Sequence, residues 1–98
     1  MLVFMSALGG ELHHVERLLK RREFVNIGGF SALSGEIHGV DVLLVRSGMG
    51  RLRVCEATEA VLLKYRPGAI FSLGYAGSVT PTLRRGDLVL AKSVCKID

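Results

Sequence analysis

The chain has 98 residues, room for one small domain, and is 49% hydrophobic but only 6% aromatic, a balance that suits an α/β domain built on Val, Leu, Ile and Ala. Its formal charge of +4 comes from Arg17, Lys20, Arg21, Arg22, Arg51, Arg53, Lys64, Arg66, Arg84 and Arg85 above all, at predicted helix ends and turns. No aromatic residues interleave with these cations as they do in base-stacking platforms, so a solvated basic surface is expected and no nucleic-acid partner. No apolar run approaches the ~18 residues that cross a bilayer. The start lacks the basic n-region of a signal peptide. Two cysteines, Cys55 and Cys95, make neither a disulfide framework nor a metal-ligand pattern; core packing and a reducing cytoplasm are expected.

Taken in order, Leu2 to Ala7 is a nearly all-apolar run without helical period, which predicts a first strand, and Leu8-Gly9-Gly10 is a loop at its carboxyl end. From Glu11 the spacing of Leu12, Val15, Leu18 and Leu19 predicts a helix ending in Lys20, Arg21 and Arg22. Its dipole would favour Glu11 in the first turn and the cations in the last. Phe24–Ile27, Phe30–Ile37 and Val40–Arg46, separated by Gly28-Gly29 and His38-Gly39, predict a three-strand meander. After the loop Ser47-Gly48-Met49-Gly50 a helix is predicted from about Arg51 to Tyr65. Val54, Thr58, Val61, Leu62 and Tyr65 would share one face, and Pro67-Gly68 would end it.

Ala69-Ile70-Phe71-Ser72-Leu73 then reads as a buried strand running into Gly74-Tyr75-Ala76-Gly77-Ser78. Arg85-Gly86-Asp87 predicts a turn into a last apolar strand that begins at Leu88-Val89-Leu90-Ala91. Strand-helix-strand units with apolar strands argue an α/β fold with a largely parallel, buried sheet. In such sheets ligands sit outside the carboxyl ends of the strands. Three glycine-bearing loops stand at such ends here: 7–11, 47–50 and 74–77.

These three loops in this order, with Arg85-Gly86-Asp87-Leu88-Val89 behind them, resemble the nucleoside phosphorylase superfamily. The likeness is to its hydrolytic branch, the methylthioadenosine/S-adenosylhomocysteine nucleosidases and futalosine-hydrolase-like members. It implies a three-layer α/β sandwich with a central mixed sheet, of which residues 1–98 would be the N-terminal part of a single domain. It implies cleavage of the N-glycosidic bond of a purine or related nucleoside, without metal or organic cofactor. By the same resemblance Glu11 matches the catalytic glutamate that positions and deprotonates the attacking water. Met49 and Gly50 fall beside the ribose; Tyr75, Ala76 and Gly77 line the substrate; Gly9, Gly48, Ser72 and Gly74 border the phosphate or water pocket. The chemistry suits a carboxylate, because glycosidic cleavage passes through a cationic, oxocarbenium-like sugar.

Four positions depart from the pattern. Ser72 stands where phosphorylases carry a phosphate-gripping arginine, which favours hydrolysis over phosphorolysis. Tyr75 replaces the usual serine, and Gly9-Gly10 replaces carboxylates found in many nucleosidases. The family's base-recognition strand, ribose-gripping glutamate and acid all match positions beyond Asp98, so the chain alone is expected not to turn over. A phosphorylase and a non-catalytic nucleoside-binding protein are the alternative readings. The resemblance also implies a homo-oligomer, a dimer in the nucleosidase branch. Read from the residues, His13 and His14 project about 100° apart on a helix and cannot share one metal, and His38 is a turn residue.

Overall fold

In the computed structural model, which describes residues 1–7, 9–75 and 80–93, one mixed five-stranded sheet organises the chain. The strands are β1 (Leu2–Ser6), β2 (Lys20–Ile27), β3 (Phe30–Ile37), β4 (Val40–Arg46) and β5 (Ala69–Ser72). They lie in the order β2-β3-β4-β1-β5. The expected meander is present: β2 pairs antiparallel with β3, and β3 with β4. Its first turn is Gly28-Gly29, both with positive φ, as a two-residue hairpin loop demands. The Gly29 N–H donates to the Asn26 side-chain oxygen at 2.9 Å. The second turn holds His38 at φ 50° and Gly39 at φ 79°. β1 then runs parallel to both neighbours, with Leu2 opposite Val42 on one side and Ala69 on the other.

Residues alternate across the two faces of the sheet, and each face has its own core. On one face Val3, Met5, Ile27, Ala32, Leu43 and Val45 pack with Ala57 and Val61 of helix α2 (Arg51–Lys64). On the other, Leu33, Val42 and Leu44 pack with Leu12 and Leu19, flanked by Phe4 and Val15. A 3-10 turn, Gly9–Leu12, and the one-turn helix α1, His13–Glu16, cover that second face. Phe4 of β1 stacks on Phe71 of β5, its register partner, with ring centroids 5.2 Å apart. Helix, sheet, helix is the expected three-layer arrangement.

Five expectations need correction. The strand expected to be buried from Ala69 is the edge strand β5, with a neighbour on one side only among the described residues, and its Ile70, Phe71 and Ser72 are exposed. The helix predicted from Glu11 to Arg22 stops at Glu16, and Lys20, Arg21 and Arg22 open β2 instead. Leu19 keeps its place in the core while Leu18 is exposed. The pairing of β2 with β3 offers those backbone groups a full ladder, and a bulge between Lys20 and Glu23 absorbs the change of direction, with Arg21 at φ 57°. The face of α2 that meets the sheet is centred on Ala57 and Val61; Val54 and Leu62 of the predicted face are exposed. Cys55 lies on the exposed side of α2 rather than in the core, and Cys95 lies outside the described residues.

Leu88–Ala91 does not form a strand. A strand needs a neighbour for its N–H and C=O groups, and Leu88, Val89 and Leu90 stand exposed with no ladder to join among the described residues. The turn before them is formed as expected. The Arg84 N–H donates to the Asp87 carboxylate at 2.8 Å, and the Asp87 N–H to the Arg84 carbonyl at 3.1 Å, around Gly86 at φ 92°.

Candidate functional site

The three glycine-bearing loops follow β1, β4 and β5, which are adjacent and parallel, so the sheet order delivers all three to one edge. Backbone bonds carry the ladders past the strand ends into the loops. The Ser47 N–H donates to the Ser6 carbonyl (2.9 Å) and the Gly48 N–H to the Ala7 carbonyl (3.1 Å). On the other flank the Leu73 N–H donates to the Met5 carbonyl at 2.9 Å. Ser47 is buried, its hydroxyl within reach of the Ser6 and Gly48 carbonyls. The edge is therefore a hydrogen-bonded shelf rather than three independent loops.

Glu11, partly buried in the 3-10 turn, reaches across this shelf. Its Oε2 accepts a hydrogen bond from the Tyr75 backbone N–H at 3.2 Å. The Tyr75 phenol donates to the Gly10 carbonyl, also at 3.2 Å. The absence of a side chain at Gly74 makes this possible, because a Cβ there would stand 2.9 Å from Glu11 Oε2. Beside Tyr75 opens a cleft of about 850 Å³, bordered by His14, Gly74, Tyr75, Arg84, Arg85 and Leu88.

The structure thus brings Glu11, Gly74 and Tyr75 together. Ser72 ends β5 opposite Met5 and is exposed. Gly48 (φ 82°) and Gly50 (φ 101°) shape the loop after β4, Gly50 serving as the N-cap of α2. Met49 between them is exposed. Ala76 and Gly77 lie outside the described residues. His13 and His14 are exposed, their rings meeting edge to face with centroids 5.9 Å apart. Among the described residues no group of three His, Cys, Asp or Glu side chains is placed to hold a metal, and no helix is long and apolar enough to cross a membrane.

Sequence reasoning missed Arg46. It closes β4 opposite Ser6, and its guanidinium lies so close over Gly9 that any Cβ at Gly9 would overlap it. The signal available was a cation at the carboxyl end of an otherwise apolar strand, directly before Ser47-Gly48-Met49-Gly50.

An α/β sandwich that gathers three glycine loops and a carboxylate at the carboxyl edge of its parallel strands defines a class. The chain belongs to the Phosphorylase superfamily, whose family profile matches residues 2–98. It is 32% identical over 94 residues to a 5'-methylthioadenosine/S-adenosylhomocysteine nucleosidase of Geobacillus thermodenitrificans, an alignment covering 96% of this chain and 40% of that protein. The structure of the same kind of nucleosidase from S. pneumoniae, with a transition-state inhibitor, superimposes with a TM-score of 0.78 at 23% identity. That match covers 88% of this chain and 37% of the other. A futalosine hydrolase mutant of Helicobacter pylori shares the fold with a TM-score of 0.64 at 15% identity, over 72% of this chain and 32% of its own. The chain therefore spans about 40% of the length of the curated relatives it matches.

Proposed function

We propose that residues 1–98 are the N-terminal part of a nucleosidase domain, and that the whole protein hydrolyses the N-glycosidic bond of a purine nucleoside such as 5'-methylthioadenosine. One observation carries this reading: Glu11 is held at the carboxyl edge of the parallel strands by the backbone of the loop after β5. In the reaction a water oxygen attacks the anomeric carbon of the ribose. The C–N bond breaks, its electron pair leaves with the base, and the water proton passes to Glu11. The carboxylate also offsets the positive charge that develops on the sugar. Protonation of the leaving base falls to residues outside these 98.

The nature of residue 72 supports water over phosphate as the nucleophile. Ser72 supplies no guanidinium for a phosphate dianion. The reading extends to a cytoplasmic homo-oligomer, supported by an exposed free thiol at Cys55 and by Leu52, Leu62 and Leu63 exposed along α2. The test is Glu11→Gln in the full-length protein, assayed by release of free adenine from 5'-methylthioadenosine with and without phosphate. The kcat is expected to fall by about 100-fold or more, with KM little changed. An unchanged kcat sinks the role of Glu11. Turnover that requires phosphate would make the protein a phosphorylase, and binding without turnover a nucleoside-binding protein.

A further inference from the structure

Tyr75 makes two contacts that point in one direction. Its backbone N–H meets the Glu11 carboxylate, and its phenol returns over the same loop to the carbonyl of Gly10, the residue before Glu11. Gly74, immediately before it, leaves the carboxylate the room it occupies. One residue at the end of β5 thus grips the turn after β1 at two successive residues, one through the main chain and one through the side chain. On its core side the turn is anchored by Leu12, buried against Leu33, Val42 and Leu44, and Tyr75 adds a tie on the loop side. The turn is a single 3-10 turn leading into a helix of four residues, and that helix has no side-chain cap at its N-terminus.

We propose that Tyr75 is a positioning residue that fastens the Glu11 turn to the end of β5 and so holds the Glu11 carboxylate in place at the site. This rests on the catalytic role proposed for Glu11, but the fastening itself can be read without any reaction. The tie is exposed, with three quarters of Tyr75 open to solvent, so its weight is that of one ordinary hydrogen bond, about fivefold in an equilibrium.

The experiment compares Tyr75→Phe, which keeps the ring and removes only the hydroxyl, with the unaltered protein. The first readout is hydrogen exchange at the backbone amide of residue 75 in this chain, which is shielded through Glu11. Exchange is expected to quicken about fivefold in Tyr75→Phe while the amides of Val3 and Val45 stay as they were. An unchanged rate at residue 75 overturns the proposal.

The second readout is steady-state turnover of 5'-methylthioadenosine by the full-length protein. Tyr75→Phe should lower kcat about fivefold with KM changed less than twofold, and should have no further effect in a Glu11→Gln background, since a residue acting through Glu11 has nothing left to position. An equal loss in both backgrounds also overturns it. Faster exchange in a full-length protein that lacks nucleosidase activity supports the fastening and removes the catalytic reading of Glu11, so the two failures are distinguishable.

Discussion

Gly74→Ala tests the site geometry with one carbon atom. Gly74 does not have positive φ, so its backbone accepts alanine without strain, and the substitution should even help by about 0.4–1 kcal/mol through the unfolded chain. The cost comes at the Glu11 carboxylate. The new Cβ would stand 2.9 Å from Glu11 Oε2 and 3.8 Å from its Cδ, so the carboxylate must swing away and release the Tyr75 N–H. A hydrogen bond to a charged acceptor at a partly exposed site is worth about 1 kcal/mol, which leaves Gly74→Ala close to neutral or slightly destabilising. In a Glu11→Ala background the obstruction is gone, and the same change should stabilise. The two backgrounds should therefore differ by about 1 kcal/mol, or roughly 4–8 °C in Tm for a domain of this size. Thermal unfolding of the four proteins, followed by circular dichroism, measures this coupling. If Gly74→Ala shifts Tm equally with and without Glu11, the carboxylate does not lie against Gly74 and the Tyr75 N–H is not its partner.

Two further outcomes check the fold. Val61→Ala, at a fully buried position of α2, should cost about 2 kcal/mol by urea unfolding with an unchanged slope, whereas Leu63→Ser, 83% exposed two residues on, should stay within about 0.5 kcal/mol. Gly28→Ala should cost about 2 kcal/mol, because φ of +58° disfavours any Cβ and this one would stand 2.9 Å from the Ala60 Cβ. Part of that loss should return in the Gly28→Ala, Ala60→Gly double variant, as thermal unfolding would register.

The five strands that form were legible because their signals are local, although the same apolar signal at Leu88–Ala91 gives no strand. Apolar runs such as Val42–Val45, bounded by Gly and charged residues, leave few alternatives, and the meander turns are written in Gly28-Gly29 and His38-Gly39. What escaped was decided by neighbours. Leu12, Val15 and Leu19 serve the core whether their backbone is helical or not, so their spacing could not show that the chain leaves the helix after Glu16 to pair with β3. Lys20, Arg21 and Arg22 looked like a helix end, yet exposed cations are equally at home on an edge strand, where they discourage pairing with other chains. The site divides in the same way. Glycines at strand ends marked the loops that the sheet gathers at one edge, but the reach of Arg46 over Gly9 and the grip of Tyr75 on Gly10 depend on side chains meeting across strands far apart in sequence.

The place of β1 at the centre of the parallel strands also sets a timetable. Within this sheet β1 pairs with β4 some 40 residues later (Leu2 with Val42) and with β5 after 67 (Leu2 with Ala69). The meander, by contrast, closes through turns of two residues. Long loops close at an entropic cost and slowly, so β2, β3 and β4 have a nascent sheet available before β1 has any partner. The shelf that bears Glu11 and Tyr75 is built from the pairings most distant in sequence among the described strands, and must wait for β5 before its two halves can meet.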